Sequence, residues 1–264
     1  MSDREEQLAY SDLMAAMLDE DKRRTKAAKL IAVVRHALGV SDLTGLTALD
    51  VGCSAGFIAD ELALAGARTT GVDIDEPGLA KARQRFGERV DFQLARGEAL
   101  PFADGSIDVA VLNHIYEHVV DPDAVVADIH RVLAPGGVLY LGLGNKYGVV
   151  EPHHGLPFLS WLPQGAADRY LRLTRKGDSY YEHYSSRAGL RRMFAAYDVW
   201  DYTLPVLADA SAFAGSDVVP GWVGRVPEPV LAATLPVVPT YIWVAFKEPG
   251  MPRGPRLRVA PRHL

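Results

Sequence analysis

The sequence predicts an α/β fold: a mostly parallel, seven-stranded sheet with helices on both faces, an N-terminal helical cap and an insertion after the fifth strand. Two observations carry that expectation. Between residues 47 and 145, short apolar, β-prone runs alternate with stretches of helical spacing, the pattern of parallel strands joined by right-handed crossovers. Within it, Thr47-Ala-Leu-Asp-Val-Gly-Cys-Ser-Ala-Gly-Phe57 reads as a buried strand, a turn of small residues and a helix start. That arrangement lets a backbone pass close to a ligand.

In chain order, residues 3–39 carry helical spacing in two sets. Leu8, Leu13, Met14, Met17 and Leu18 form the first; Leu30, Ile31, Val33, Val34 and Leu38 form the second, with Gly39 as its stop. The charged run 19–26 reads first as a solvated helix face, and in a sharper reading closes Tyr10, Lys22, Arg23 or Arg24 over a ligand's carboxylate. Strands are expected at 47–51, 68–73, 90–94, 107–112 and 138–143, with helices at 56–65, 76–86 and 122–133 between them. Ligands of such sheets bind at the carboxyl ends of the strands, so Asp50, Asp73, Glu98, Asn113 and Asn145, each at or just past a strand end, should converge on one crevice.

Residues 146–180 break the alternation with turn formers and large apolar side chains, and read as a lid or acceptor pocket. Ser185 and Ser186 open a capped helix, and stretches at 197–204 and 240–246 complete the sheet as an antiparallel pair. The Gly- and Pro-rich apolar segment 205–239 has the composition to cover a pocket or to touch a partner or a membrane surface. The whole reads as one domain over 1–248, divided into a cap (1–44), a core (45–145), a lid (146–180) and a closing region (181–248). Residues 249–264, rich in Pro and Arg, read as a disordered tail.

Composition bounds the function. With 48% hydrophobic residues and a net charge of −5, the chain can bury one large core and is not built to hold nucleic acid by bulk charge. The lone Cys53 excludes an intrachain disulfide framework and a multi-cysteine zinc site. No uninterrupted apolar run reaches about 18 residues and no signal peptide is evident, so a cytoplasmic protein without a membrane span is expected. Asp73 lies 23 positions after Asp50, where a carboxylate can take both hydroxyls of an adenosine ribose.

Two cofactor classes compete for this crevice. A dinucleotide fold wants Gly-x-Gly-x-x-Gly, whereas Gly52, Ser54 and Gly56 occupy alternate positions here, without the third glycine or a hydride-handling acid. Further on stand Gly97-Glu-Ala-Leu-Pro-Phe102, Asp104-Gly-Ser-Ile-Asp108, Glu117-His118, Asp121-Pro122 and Arg131-Val-Leu-Ala-Pro-Gly-Gly137. In that ordered combination, residues 46–145 resemble the class I S-adenosylmethionine-dependent methyltransferases, in particular the bacterial small-molecule group that includes the ubiquinone-type O-methyltransferases.

The resemblance implies a Rossmann-like methyltransferase fold, S-adenosylmethionine as cofactor and S-adenosylhomocysteine as product. It further implies that the turn at Gly52, Cys53, Ser54 and Gly56, running on to Phe57, packs on the methionine part, whose amino group Asp50 reaches. Asp73 would bind the ribose and Ile74 line the adenine, with Gly97, Glu98 and Ala99 at the adenine edge. Asn113 and His114 would meet the methionine moiety, with His118 close by. The chain departs from the pattern at Arg96, where relatives often carry an acid for the adenine amino group, and at Ser54, which stands for a glycine.

The candidates for proton removal are His153 and His154 in Glu151-Pro-His-His, because a neutral imidazole can accept a hydroxyl proton and Glu151 can orient it. The other reading is a loop fixed by one imidazole with the second facing solvent. This motif also looks like one carried by some methyltransferases of surface-glycan and secondary metabolism. No metal is expected, since the adjacent histidines lack an evident remote ligand. His118 either lines the cofactor cavity or caps the next helix, and His183 with Tyr180, Tyr181 and Tyr184 forms either an acceptor wall or packing. The function expected is methyl transfer to a small-molecule acceptor, at the oxygen of a phenolic, polyketide-like or sugar- or lipid-linked metabolite. A non-catalytic cofactor-binding protein and an NAD-dependent oxidoreductase are the alternatives. A nucleic-acid methyltransferase is disfavoured, because Asn113-His-Ile-Tyr116 replaces the Asn/Asp-Pro-Pro-aromatic motif.

Overall fold

A computed structural model describes residues 19–216 and 219–264. The first helical set and Tyr10 lie outside these residues. Helix α1 (Glu20–Leu38) starts on Asp19, whose carboxylate accepts the Lys22 amide, and stops at Gly39, whose φ of 70° completes the C-cap. Then follow β1 (Thr47–Val51), α2 (Phe57–Leu64), β2 (Arg68–Asp73), α3 (Glu76–Phe86), β3 (Asp91–Leu94), β4 (Ile107–Asn113), α4 (Pro122–Val132) and β5 (Leu133–Gly144). The chain closes with α5 (Gln164–Thr174), α6 (Arg187–Met193), β6 (Asp198–Asp201), α7 (Thr203–Ala208), α8 (Glu228–Thr234), β7 (Thr240–Phe246) and β8 (Arg262–His263).

The strands form one sheet in the order β3-β2-β1-β4-β5-β7-β6-β8. The first five are parallel, and the last three run antiparallel to their neighbours. Period-2 alternation decides which side chains meet which helices. Leu49, Ala110, Leu112, Leu139, Leu141 and Trp243 face α4 and α6, whereas Ala48, Val109, Val111, Val138 and Val244 face α1, α2 and α7. Both faces are therefore apolar, and polar side chains collect at the strand ends.

Two expectations are corrected here. The sheet has eight strands, not seven, because the tail supplies β8, and residues 249–264 are not a loose tail. The Arg253 amide donates to Ala37 O at 3.1 Å, the Leu264 amide to Val199 O at 3.0 Å and the Trp200 indole to Gly250 O at 2.9 Å, while Val259 is buried. Prolines withhold some amides, but those that remain find strand-edge and helix-end carbonyls. Removing residues 252–264 is expected to lower stability by about 2–4 kcal/mol, from one buried valine and several lost hydrogen bonds. A urea midpoint unchanged by the truncation would contradict this.

The lid has its own small core of Leu156, Leu159, Ala167, Leu171 and Tyr180. Segment 205–239 folds, in its described residues, into short helices around Leu204, Leu231, Leu235 and Val259.

Candidate functional site

A cavity of about 390 Å³ lies at the carboxyl ends of β1, β2 and β4. There the strand order turns from β1-β2-β3 in one direction to β4-β5 in the other, the place where open α/β sheets take ligands.

Gly52, Cys53, Ser54 and Ala55 turn from β1 towards α2 and line one wall, with Phe57 from the first turn of that helix. Gly52 has φ +76°, and a Cβ there would overlap the Ile115 side chain. Gly56 does not line the cavity; at φ +82°, with a Cβ that would lie 2.7 Å from the Phe92 ring, it shapes the turn from below. Ser54 itself is left-handed (φ 47°), and its amide donates to Asp73 Oδ2 at 2.6 Å. Asp73 Oδ1 accepts the Asp75 amide at 2.9 Å, so one carboxylate ties the first turn to the end of β2. Burial lifts the Asp73 carboxyl above its ordinary range, against these two amides.

Asp50 is buried, and its Oδ2 has no hydrogen-bond partner among the described residues. Burial, and next the neighbouring Asp73, push its pKa up to about 7. The sign for a cationic ligand follows. Below pH 7 such a ligand must expel the carboxyl proton; above it the negative charge is already present. Affinity for S-adenosylhomocysteine, whose ammonium group is the probe, is expected to rise about tenfold from pH 6 to pH 8 through this group. An Asp50→Asn variant should flatten the profile, and a flat wild-type profile would contradict the assignment.

At the other end Ile74, Gly97 and Glu98 line the wall together with Arg96. Ala99 does not reach the cavity; its amide donates to Arg96 O at 3.2 Å. Asn113 lines the floor with its buried Nδ2 lacking an acceptor among the described residues. Asn145 does not join the crevice. Its Nδ2 donates to Pro236 O and Val238 O at 3.0 and 2.9 Å, so it braces the approach to β7 instead.

His114, His118, Pro152 and His153 close the remaining side. Behind them is Glu117, fully buried, with Oε1 3.1 Å from His114 Nδ1 and 3.5 Å from His153 Nε2. Burial alone would raise the Glu117 carboxyl, but the imidazoles outweigh it and hold the group well below the usual carboxylate range. His114 is pushed down to about 4, first by burial and then by Lys26, so its ring is neutral at pH 7. His153 is raised, because Glu117 overcomes burial. His154 does not line the cavity; it faces Glu182 at 3.5 Å, which raises its pKa.

Glu151 does not orient an imidazole by its carboxylate. It accepts the backbone amides of His153 and His154 at 3.1 and 2.6 Å and the Tyr184 hydroxyl at 2.7 Å, so it shapes the turn that presents His153. Tyr184 stacks beside His153 at 6.3 Å, Tyr180 sits beside His154, and Tyr181 is exposed. From α1, Lys22, Arg23 and Lys26 reach the cavity, whereas Arg24 turns away to Asp60 and Glu61. Burial, then Arg23, push Lys26 down to about 8.

The residues fit the implied cofactor. Asp50 Oδ2, Ser54 Oγ and Asn113 Nδ2 are buried polar atoms without protein hydrogen-bond partners among the described residues, aligned along one cavity, and the Gly52 turn clears space a Cβ would fill.

Comparison with known proteins agrees. Residues 49–141 match the family model described as a methyltransferase domain. The ubiquinone biosynthesis O-methyltransferase of Pseudomonas paraeruginosa is 33% identical over 147 residues, 51% of this chain and 62% of that protein. Among the curated relatives most similar to it, the chain spans between 54% and 65% of their length. Among solved structures, an S-adenosylmethionine-dependent methyltransferase of Mesorhizobium loti matches with a TM-score of 0.54 at 18% identity, over 78% of this chain and 93% of that one. The cyclase SpnF matches with a TM-score of 0.53 at 22% identity, over 84% and 82%. These two are likenesses of fold.

Proposed function

We propose, from the premise that residues 49–141 are a class I S-adenosylmethionine-dependent methyltransferase domain, that the chain transfers a methyl group to a hydroxyl of a small-molecule acceptor. The observation that carries this is a single cavity with a carboxylate-bearing cofactor end, Asp50 and Asp73, and an imidazole-lined end, His114, His118 and His153. Bound S-adenosylmethionine supplies an electrophilic methyl on a sulfonium centre. Asp50 offers negative charge to the cationic end, Asp73 takes the ribose hydroxyls, and Ile74, Gly97 and Glu98 bound the adenine. Methyl transfer is an in-line displacement, so the chain's largest contribution is holding the acceptor oxygen in register.

The names of the curated relatives support oxygen as the accepting atom. Of the three residues expected in catalysis, His153 is the one proposed to meet the hydroxyl; Glu151 positions it through the turn, and His154 with Glu182 backs the lid. Pro152, Ile115 and Val119 on the same wall favour a partly apolar acceptor, of phenolic, polyketide-like or sugar- or lipid-linked type.

The test is release of S-adenosylhomocysteine from S-adenosylmethionine in the presence of phenols, aromatic polyketides and lipid-linked sugars, with product mass and methyl position determined. Acceptor-dependent release with an O-methyl product is expected. Methylation confined to nitrogen or carbon would contradict the hydroxyl assignment. Cofactor binding without transfer to any of these classes would leave a binding protein.

A further inference from the structure

We propose that His114, Glu117 and His153 bind one first-row divalent cation at the acceptor end of the cavity. Each of these residues offers a ligand atom, and all three atoms lie within 4.8 Å of one another. Glu117 Oε1 is 3.1 Å from His114 Nδ1 and 3.5 Å from His153 Nε2. An ion with bonds of about 2.1 Å separates adjacent donors by roughly 3.0–3.4 Å in octahedral or tetrahedral geometry, close to the spacing Glu117 Oε1 keeps from each imidazole, and the two imidazoles would draw together from within 4.8 Å to close on it. Two imidazoles and one carboxylate suit zinc, iron, cobalt or nickel over magnesium or calcium.

A second observation points the same way. Glu117 is fully buried, and its Oε2 has no hydrogen-bond partner among the described residues. A buried carboxylate with one oxygen unsatisfied is costly unless it meets a cation. His114 adds a third. It holds a left-handed backbone (φ 57°) at the end of β4, its amide bonded to Gly142 O at 2.8 Å, and strain of this kind is retained where a side chain must be aimed.

His153 also belongs to a second cluster with His118 and Glu182. Glu182 Oε2, however, already faces His154 at 3.5 Å and accepts the Tyr181 amide at 3.3 Å, and of the two carboxylates it is Glu117 that has a buried oxygen without a hydrogen-bond partner among the described residues. Because His114 and His153 line the cavity, the ion would keep an open face towards the acceptor. On the methyl-transfer reading, on which this role rests but the site does not, the acceptor oxygen coordinates at that face. Coordination lowers the hydroxyl pKa, and the proton passes to water.

The experiment is titration of the chelator-treated full chain with Co²⁺, followed by visible ligand-field absorption and calorimetry. One equivalent is expected to bind with a micromolar or tighter dissociation constant, and Zn²⁺ should displace it. His153→Ala and Glu117→Gln should each weaken binding at least about tenfold, while His263→Ala leaves it unchanged. S-adenosylhomocysteine binding by each variant establishes that it is folded. No saturable Co²⁺ absorption in the wild type, or absorption that persists in both folded variants, would overturn the site. Cobalt binding requires neither acceptor nor turnover. Binding without methyl transfer would therefore sink only the functional reading, and methyl transfer without cobalt binding would sink only the ion.

Discussion

Replacing Asp73 by alanine is expected to weaken S-adenosylhomocysteine binding by at least about 100-fold. A carboxylate that takes two ribose hydroxyls loses two charge-assisted hydrogen bonds, about 3 kcal/mol together, which is two decades in the dissociation constant. The same change also strips acceptors from the Ser54 and Asp75 amides, which donate to Asp73 at 2.6 and 2.9 Å. The binding turn itself should loosen, and the loss can exceed that figure. Asp73→Asn separates the two effects, since its amide oxygen still accepts one backbone donor while the charge is gone. Calorimetry on both variants, with thermal unfolding to establish that each is folded, checks the expectation. Wild-type affinity in folded Asp73→Ala would remove Asp73 from the cofactor site.

His153→Ala is expected to lower turnover about 10²–10⁴-fold while leaving S-adenosylhomocysteine affinity within about threefold. His153 lines the imidazole end of the cavity, backed by Glu117 at 3.5 Å, and the cofactor end is built from other residues. His154→Ala should cost turnover less than tenfold, because its ring is turned towards Glu182 and does not reach the cavity. Single-turnover rates and titrations on the two variants test this split. Equal losses in the two variants, or a His153→Ala enzyme at full rate, would remove His153 from the chemistry.

The parts of the molecule legible in the sequence were those whose signals are local. The β1 turn could be read because an apolar run, Asp50 and the small residues Gly52, Ser54 and Gly56 fall within the ten positions 47–56. The place of Asp73 at the end of β2 followed from spacing, and the helix stop at Gly39 from its residue type. What escaped depends on remote partners. Glu117 was visible only as a neighbour of His118, since its meaning comes from a lid residue, His153, folded back against the end of β4. Asn145 stands at a strand end like Asn113, but the carbonyls of Pro236 and Val238 capture it from a segment too irregular to place. The run 19–26 hid a division by helix face: Lys22, Arg23 and Lys26 turn to the cavity, while Arg24 turns to Asp60 and Glu61. The tail read as disordered because its composition is that of loose segments, and its ordering comes from carbonyl acceptors on α1 and β6 that no local pattern reveals.

The most direct test of the cofactor site is calorimetric titration of the wild-type protein with S-adenosylhomocysteine, with NAD(H) titrated under the same conditions. One site of micromolar affinity for S-adenosylhomocysteine and no binding of NAD(H) is the expected result. Binding of NAD(H) alone, or no saturable binding of S-adenosylhomocysteine, would contradict it.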